Sequence, residues 1–235
     1  MHPASNRVLS SCAAALLLIG GLFLALRPAA APALGADRIS MRVEVYGLMG
    51  LHVLTLNTSV DEVGERYAIN THYKTTGVAG LVVDQQTRAT ASGRLIPASA
   101  QAESFHSETR RNGVARQEEV NFRPDGSVEG KVIPVVADAA TAATARGTVD
   151  NLTAYLRLER QLAAKGTCAL MVPVFDGRSR YDLVFSDIGK QVLSPEGGQH
   201  LEGNAIACRM TRHIRSAPEG EQGEGAHQGK FWYAP

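Results

Sequence analysis

ASAQAESFHSETRRNGVARQEEVNF, residues 98–122, decides the architecture: a run from Ala98 to Arg110 leads into Asn112–Gly113, and Val114 to Phe122 leads out. Asn and Gly both tolerate the positive φ demanded at the two central positions of a type I′ turn. The twist of that turn matches two paired antiparallel strands, so the stretch predicts a β-hairpin. Toward the N-terminus, residues 42–122 keep a mostly period-two pattern, with Met41, Val43 and Val45 on one face and Arg42 and Glu44 on the other. Tyr46 to Gly50 bends the chain, and His52, Leu54 and Leu56 resume the alternation. Asp61 to Arg66 reads as a polar turn, and Tyr67, Ile69, Thr71 and Tyr73 start a third strand. Gly77 to Val83 breaks the alternation and reads as a short helix, a bend or an apolar flap.

Toward the C-terminus, Pro124-Asp125-Gly126 makes another turn, and the Pro-interrupted, Ala/Thr-rich residues 131–144 suit a surface crossing. One convincing helix follows. Asp150 caps it, Leu152, Tyr155, Leu156, Leu158 and Leu162 form its apolar stripe, and Gly166 ends it. Leu170 to Phe175, a turn at Asp176–Gly177, and Arg178 to Phe185 form a second hairpin. Gly197–Gly198 and residues 219–229 read as flexible loops. One principal helix against many strands predicts a mainly β domain, a long antiparallel sheet curled around that helix.

The chain has 235 residues, 44% hydrophobic and 6% aromatic, and its 24 Lys plus Arg nearly balance 23 Asp plus Glu. Near-neutrality without a basic block argues against nucleic acid as the main ligand, and 20% charged residues argue against a disordered chain. Arg7, the apolar stretch from Ala13 to Leu26 and the small residues from Ala29 to Ala36 have the three-part form of a secretory signal, cleaved near Gly35 or Ala36. That stretch is shorter than the about 20 apolar residues of a spanning helix and is followed at once by Arg27 and Pro28. Leu9 to Cys12 superficially match a lipoprotein box, but the apolar helix follows the cysteine instead of preceding it. The expectation is a signal peptide over 1–36 and one exported, periplasmic domain over 37–235, with no transmembrane span after processing. Cys168 and Cys208 then remain as an even pair in an exported chain, which reads as one disulfide.

The groups that could carry chemistry have plainer roles beside them. Asp176 and Asp182 are conceivable as an acid–base pair, but Asp176 sits in a turn, and Arg178, Arg180 and Asp182 read as a charged strand face. Phe175 and Tyr181 read as core or cavity lining. His52, His72, His106, His200, His213 and His227 are scattered, with no metal-type spacing between them or around Cys208. No Gly-x-Ser-x-Gly or Ser-x-x-Lys occurs, and Gly47, Gly50, Gly77 and Gly80 do not form a phosphate loop. The expectation is no catalytic residue, no metal and no cofactor.

The run Phe175-Asp176-Gly177-Arg178-x-Arg180-Tyr181-Asp182, together with Gly147-Thr-x-Asp150 before the helix and the two cysteines, resembles an exported proteobacterial family catalogued as a domain of unknown function, number 3108. The similarity covers about Met41 to Tyr233. It implies no enzymatic role, and a shape similar to the incomplete antiparallel β-barrels of the periplasmic lipoprotein carriers of the Lol system. The family pattern continues into a further strand past Trp232, whereas this chain ends at Pro235, which implies an unpaired sheet edge. Two functions are expected from this: binding of a lipid or acyl chain in the concave face of a half-open barrel, or binding of another envelope protein through the edge near Phe231. A hydrolase comes third.

Overall fold

The hairpin of residues 98–122 forms as its turn chemistry requires. Strands β5 (Ser99–Arg111) and β6 (Val114–Phe122) pair antiparallel about Asn112 and Gly113, whose φ values of 49° and 82° both lie in the left-handed region. The computed structural model describes residues 36–46, 51–137, 139–194, 202–219 and 227–233. The signal-peptide reading of 1–35, the bend at 47–50, Gly197–Gly198, His200 and residues 220–226 lie outside them.

Around that hairpin, β1 (Ala36–Tyr46), β2 (His52–Val63), β3 (Arg66–Thr75), β4 (Gln85–Ile96) and β7 (Val128–Ile133) complete a seven-stranded antiparallel sheet in chain order. The chain then crosses through a helix, α2 (Asn151–Lys165), into a second sheet of β8 (Leu170–Phe175), β9 (Arg180–Leu193), β10 (Gly203–Ser216) and β11 (His227–Tyr233). The second sheet has the order β11-β10-β9-β8, also antiparallel. All of these belong to one compact unit, Gly35–Pro235. The mainly β, antiparallel architecture with one principal helix is therefore as expected, with the strands divided between two sheets. The first sheet ends at β1 and β7 and the second at β8 and β11, so among the described residues neither closes into a barrel.

The ambiguous stretch after β3 is a six-residue helix, α1 (Gly77–Val82). Four other boundaries differ from the sequence reading. Asp61 and Glu62 are not in a turn but inside β2, because each has a cationic partner: Arg38 on β1 lies 2.9 Å from Asp61, and Arg160 of α2 lies 3.0 Å from Glu62. Lys131 to Ile133 end β7, and the crossing after them buries Ala140 and Ala145. His227 to Gly229 open β11. The β8–β9 connection takes four residues, 176–179, because the Asp176 carboxylate accepts from the backbone N–H groups of both Arg178 and Ser179, at 3.1 and 2.8 Å.

Helix α2 starts and stops as its caps dictate. The Asp150 carboxylate accepts from Thr153 N at 2.8 Å, and Gly166, at φ 65°, donates to the Leu162 carbonyl at 2.8 Å. It buries Thr153, Ala154, Leu156, Leu158, Gln161 and Leu162, while Tyr155 stands half out and meets Phe185 edge-on. The helix packs on β4 and β5 of the first sheet and on β8 of the second, so the core lies where the three meet. This defines an inner face of the seven-stranded sheet, with Tyr67, Ile69, Ala91, Phe105 and Val120 buried, and an outer face carrying exposed Asn57, Asn70, Arg88 and Thr90.

Candidate functional site

Two of the motifs singled out in the sequence converge at the start of α2. Val149 forms a parallel bridge with Val174 of β8, with Val149 N on the Pro173 carbonyl at 3.0 Å and Phe175 N on the Val149 carbonyl at 2.9 Å. Gly147 leads into that bridge from a tight turn, its N–H donating to the Gly126 carbonyl at 2.9 Å. Asp150, which follows Val149, is fully buried. Thr153 Oγ1 donates to its Oδ2 at 2.6 Å, which uses the hydroxyl's one proton. The Tyr67 hydroxyl, 2.7 Å away, must then donate to Thr153 Oγ1, so the chain runs Tyr67 to Thr153 to Asp150. Tyr67 also lies 3.4 Å from the Gln101 carbonyl.

Burial pushes the Asp150 carboxyl up to about 6, although its hydrogen bonds with Thr153 oppose the shift. Burial, and then the charge of Asp150, also raises the Tyr67 hydroxyl well above its usual range. The network is sealed: Tyr67, Asp150 and Thr153 are all buried, so no substrate reaches it, and its chemistry is that of a strut between α2 and the sheet. Its effect on stability has a definite sign. The folded value lies above the ordinary 3.8, so the contribution from proton uptake is fully present below about 3.8 and is lost as pH rises through about 6. The stability difference between the wild type and Asp150→Asn should shift in favour of the wild type by about 3 kcal/mol between pH 8 and pH 3.5, read from urea midpoints. A difference that stayed flat would show that Asp150 takes up its proton in the fold at the same pH as in the unfolded chain.

The second motif clamps the sheets together. Phe175 packs against Gly130 of β7, where an added Cβ would lie 3.1 Å from its ring. Gly177, at φ +97°, faces Glu118 of β6, where an added Cβ would lie 3.1 Å from the Glu118 Cβ, and the Arg178 carbonyl accepts from Ala140 N at 2.7 Å. Arg178 and Asp182 are buried and Arg180 is half-buried, which corrects the expectation of a charged strand face. The cause is Arg215 of β10. Its Nε donates to Asp182 Oδ2 at 2.8 Å while Arg180 bonds Oδ1, so the carboxylate leaves water between two guanidiniums. Burial alone would raise Asp182, but the hydrogen bonds and charges of Arg180 and Arg215 outweigh it and hold the group below its ordinary value. Asp176 is spent on its turn. Tyr181, buried, lies with its ring 3.9 Å from the Arg212 guanidinium carbon. Cys168 and Cys208 are joined, with Cα atoms 6.0 Å apart, tying the α2–β8 connection to β10.

The histidines stay apart. His52 bonds Thr55 and the Leu54 carbonyl, His72 bonds Gln86, and His106 lies 3.4 Å from Glu108. Among the described residues no three His, Cys, Asp or Glu side chains stand close enough to hold a metal ion, and no described helix is long and apolar enough to cross a membrane.

Two features were missed by sequence reasoning. One is the Tyr67–Thr153 link, whose partners are 86 residues apart with no local signal to join them. The other is the state of the inner face beyond α2. The register aligns Ile39 with Val60 and Ile69, and Leu56 with Tyr73. Ile39 and Met41 are exposed there, and Leu54, Leu56, Val60 and Tyr73 are half-buried. Its period-two signal was present, but which strands the helix leaves uncovered was not. On the opposite, outer face a trough of about 490 Å³ is lined by polar side chains, including Asn57, Asn70, His72 and Arg88.

The family model described as protein of unknown function (DUF3108) matches residues 40–235. No curated protein and no solved structure matches the chain.

Proposed function

The chain belongs to the DUF3108 family of proteins of unknown function, and from that premise we propose that it is a non-catalytic periplasmic protein of the cell envelope that holds an apolar ligand, a lipid or acyl chain, against the inner face of its seven-stranded sheet. One observation carries the reading. The face that α2 covers over β4 and β5 continues across β1 and β2 as aliphatic side chains, with Val60 at the margin of the core, Leu54 and Leu56 half-buried and Ile39 and Met41 exposed, and among the described residues the main contacts of α2 are with β4, β5 and β8. Apolar surface left in water costs about 25 cal/mol per Å², so an acyl chain laid along it gains what α2 gains at its own contacts. The leader pattern of residues 1–36 and the cysteine pair support export.

Uptake of a fluorescent fatty acid by delipidated protein tests this. Wild type should bind, and Leu56→Asn should bind about tenfold more weakly, since one leucine contributes roughly 1.5–3 kcal/mol on burial. Protein that takes up no fatty acid or phospholipid, and that purifies free of lipid by mass spectrometry, would sink the reading.

A second reading has its own observation. Among the described residues β11 pairs with β10 alone and is the edge of its sheet, which leaves its outer row of backbone groups to β-augmentation by an envelope protein. Crosslinks from positions beside Trp232 in intact cells would favour this reading over the first.

A further inference from the structure

The exposed aliphatic side chains of the seven-stranded sheet are concentrated at one end. Antiparallel order brings the β1–β2, β3–β4 and β5–β6 connections and the exit from β7 to that end. Leu51, Val114 and Ile133 are exposed there, and Leu81, Val82 and Val135 are 86%, 79% and 91% exposed. Among the described residues the opposite end exposes Val63 and Ile96 beside its turns and Ile39 near the start of β1. Single exposed aliphatics are ordinary, but one or more in every connection at one end of a sheet marks an interaction surface.

Charge identifies the partner. The four rungs nearest these connections run from Leu54–Thr75–Gln85–Arg111 to Asn57–His72–Arg88–Glu108. Apart from Arg116, which pairs with Glu118 at 3.9 Å, they carry Arg42, Lys74, Arg88, Arg110 and Arg111 against Glu44 and Glu108, with Asp84 in the β3–β4 connection. At the opposite end Arg38 pairs with Asp61 and Arg123 with Glu129, and Arg66 and Arg94 share Glu103. Aliphatic tips backed by excess positive charge match the layered chemistry of an anionic bilayer, acyl chains beneath negative headgroups. We infer that this end of the sheet docks on an anionic lipid surface, with Leu81 and Val82 of α1 entering it. This surface is distinct from the inner face, and the inference stands whether or not that face holds a ligand.

The test places a reporter at each end of the full chain. L81W and I96W are each made in a W232F background and mixed with vesicles of phosphatidylglycerol or of phosphatidylcholine, some carrying nitroxide-labelled lipid. The fluorescence of L81W/W232F should shift to the blue and be quenched by the nitroxide with phosphatidylglycerol, and not with phosphatidylcholine, while I96W/W232F stays unchanged in both. Adding R110Q and R111Q to L81W/W232F should weaken vesicle binding about thirtyfold, at about 1 kcal/mol per basic residue near the surface. The inference is overturned by an L81W reporter that ignores phosphatidylglycerol, or by an I96W reporter that responds equally, which would place the contact elsewhere on the chain. A blue shift of L81W that grows with protein concentration in the absence of vesicles also overturns it, because a second copy then covers this end.

Discussion

Replacing Cys168 and Cys208 together by alanine should lower the free energy of unfolding by about 4 kcal/mol, the largest loss expected from removing a covalent link in this chain. The link closes a loop with a sequence separation of 40 residues, and without it the unfolded chain regains the freedom of that loop. The native side adds to the loss. Both cysteines are fully buried, and Cys168 sits where its N–H donates to Asp187 Oδ1 at 2.8 Å while Thr167 bonds the other carboxylate oxygen. Asp187 lies on β9 opposite Cys208, so those bonds and the disulfide fix the α2–β8 connection at one point of the second sheet. Urea titrations of the oxidised wild type and the Cys168→Ala/Cys208→Ala pair should show a lower midpoint for the pair together with a steeper slope, because the released unfolded state exposes more surface. Equal midpoints for the two proteins would mean that the loop is already constrained when unfolded and that the bond adds nothing.

Several elements were legible in the sequence for physical reasons that can be named. The β5–β6 turn was readable because Asn112 and Gly113 pay little for positive φ, and nothing distant competes with that preference. The ends of α2 were readable because Asp150 and Gly166 act on backbone groups within four residues of themselves. The β8–β9 turn was read one step short: Asp176 and Gly177 do form it, but the carboxylate reaches on to Ser179, so the loop is longer than an Asp-Gly pair alone requires. The charged residues misled most. Asp182 has the pattern of a solvent-facing strand residue, yet it is buried because Arg215, 33 residues on, arrives from β10 to share it with Arg180. A carboxylate's burial depends on partners that local periodicity does not contain. The same holds for the inner face, whose alternation was visible along β1 to β3, while its uncovered part depends on where α2 comes to rest.

Gly93→Ala should destabilise the fold by about 4 kcal/mol, for a reason that joins the sheet to the buried network. The β4–β5 ladder shifts register between Ser92 and Gly93, with Ser92 opposite Ser104 and Gly93 opposite Ala102, so β5 carries one extra residue, Glu103. Glu103 turns outward to Arg66 and Arg94, and the backbone at Gln101 presses inward. A Cβ on residue 93 would lie 2.0 Å from the Gln101 carbonyl oxygen and 2.7 Å from the Tyr67 hydroxyl. The carbonyl belongs to the ladder and the hydroxyl is held by Thr153, so the methyl must displace one or both. Overpacking costs about 1–3 kcal/mol, and a Tyr67 hydroxyl driven off Thr153 leaves a buried polar group unpaired at about the same cost again. Adding Tyr67→Phe to Gly93→Ala separates the two contributions. It removes the phenolic oxygen but neither the carbonyl at 2.0 Å nor the ring carbon at 2.9 Å, so recovery should be under half of the loss. Full recovery would place all of the strain on the hydroxyl, and a Gly93→Ala variant that unfolds at the wild-type midpoint would show that the ladder yields at the bulge, with no close approach there to protect.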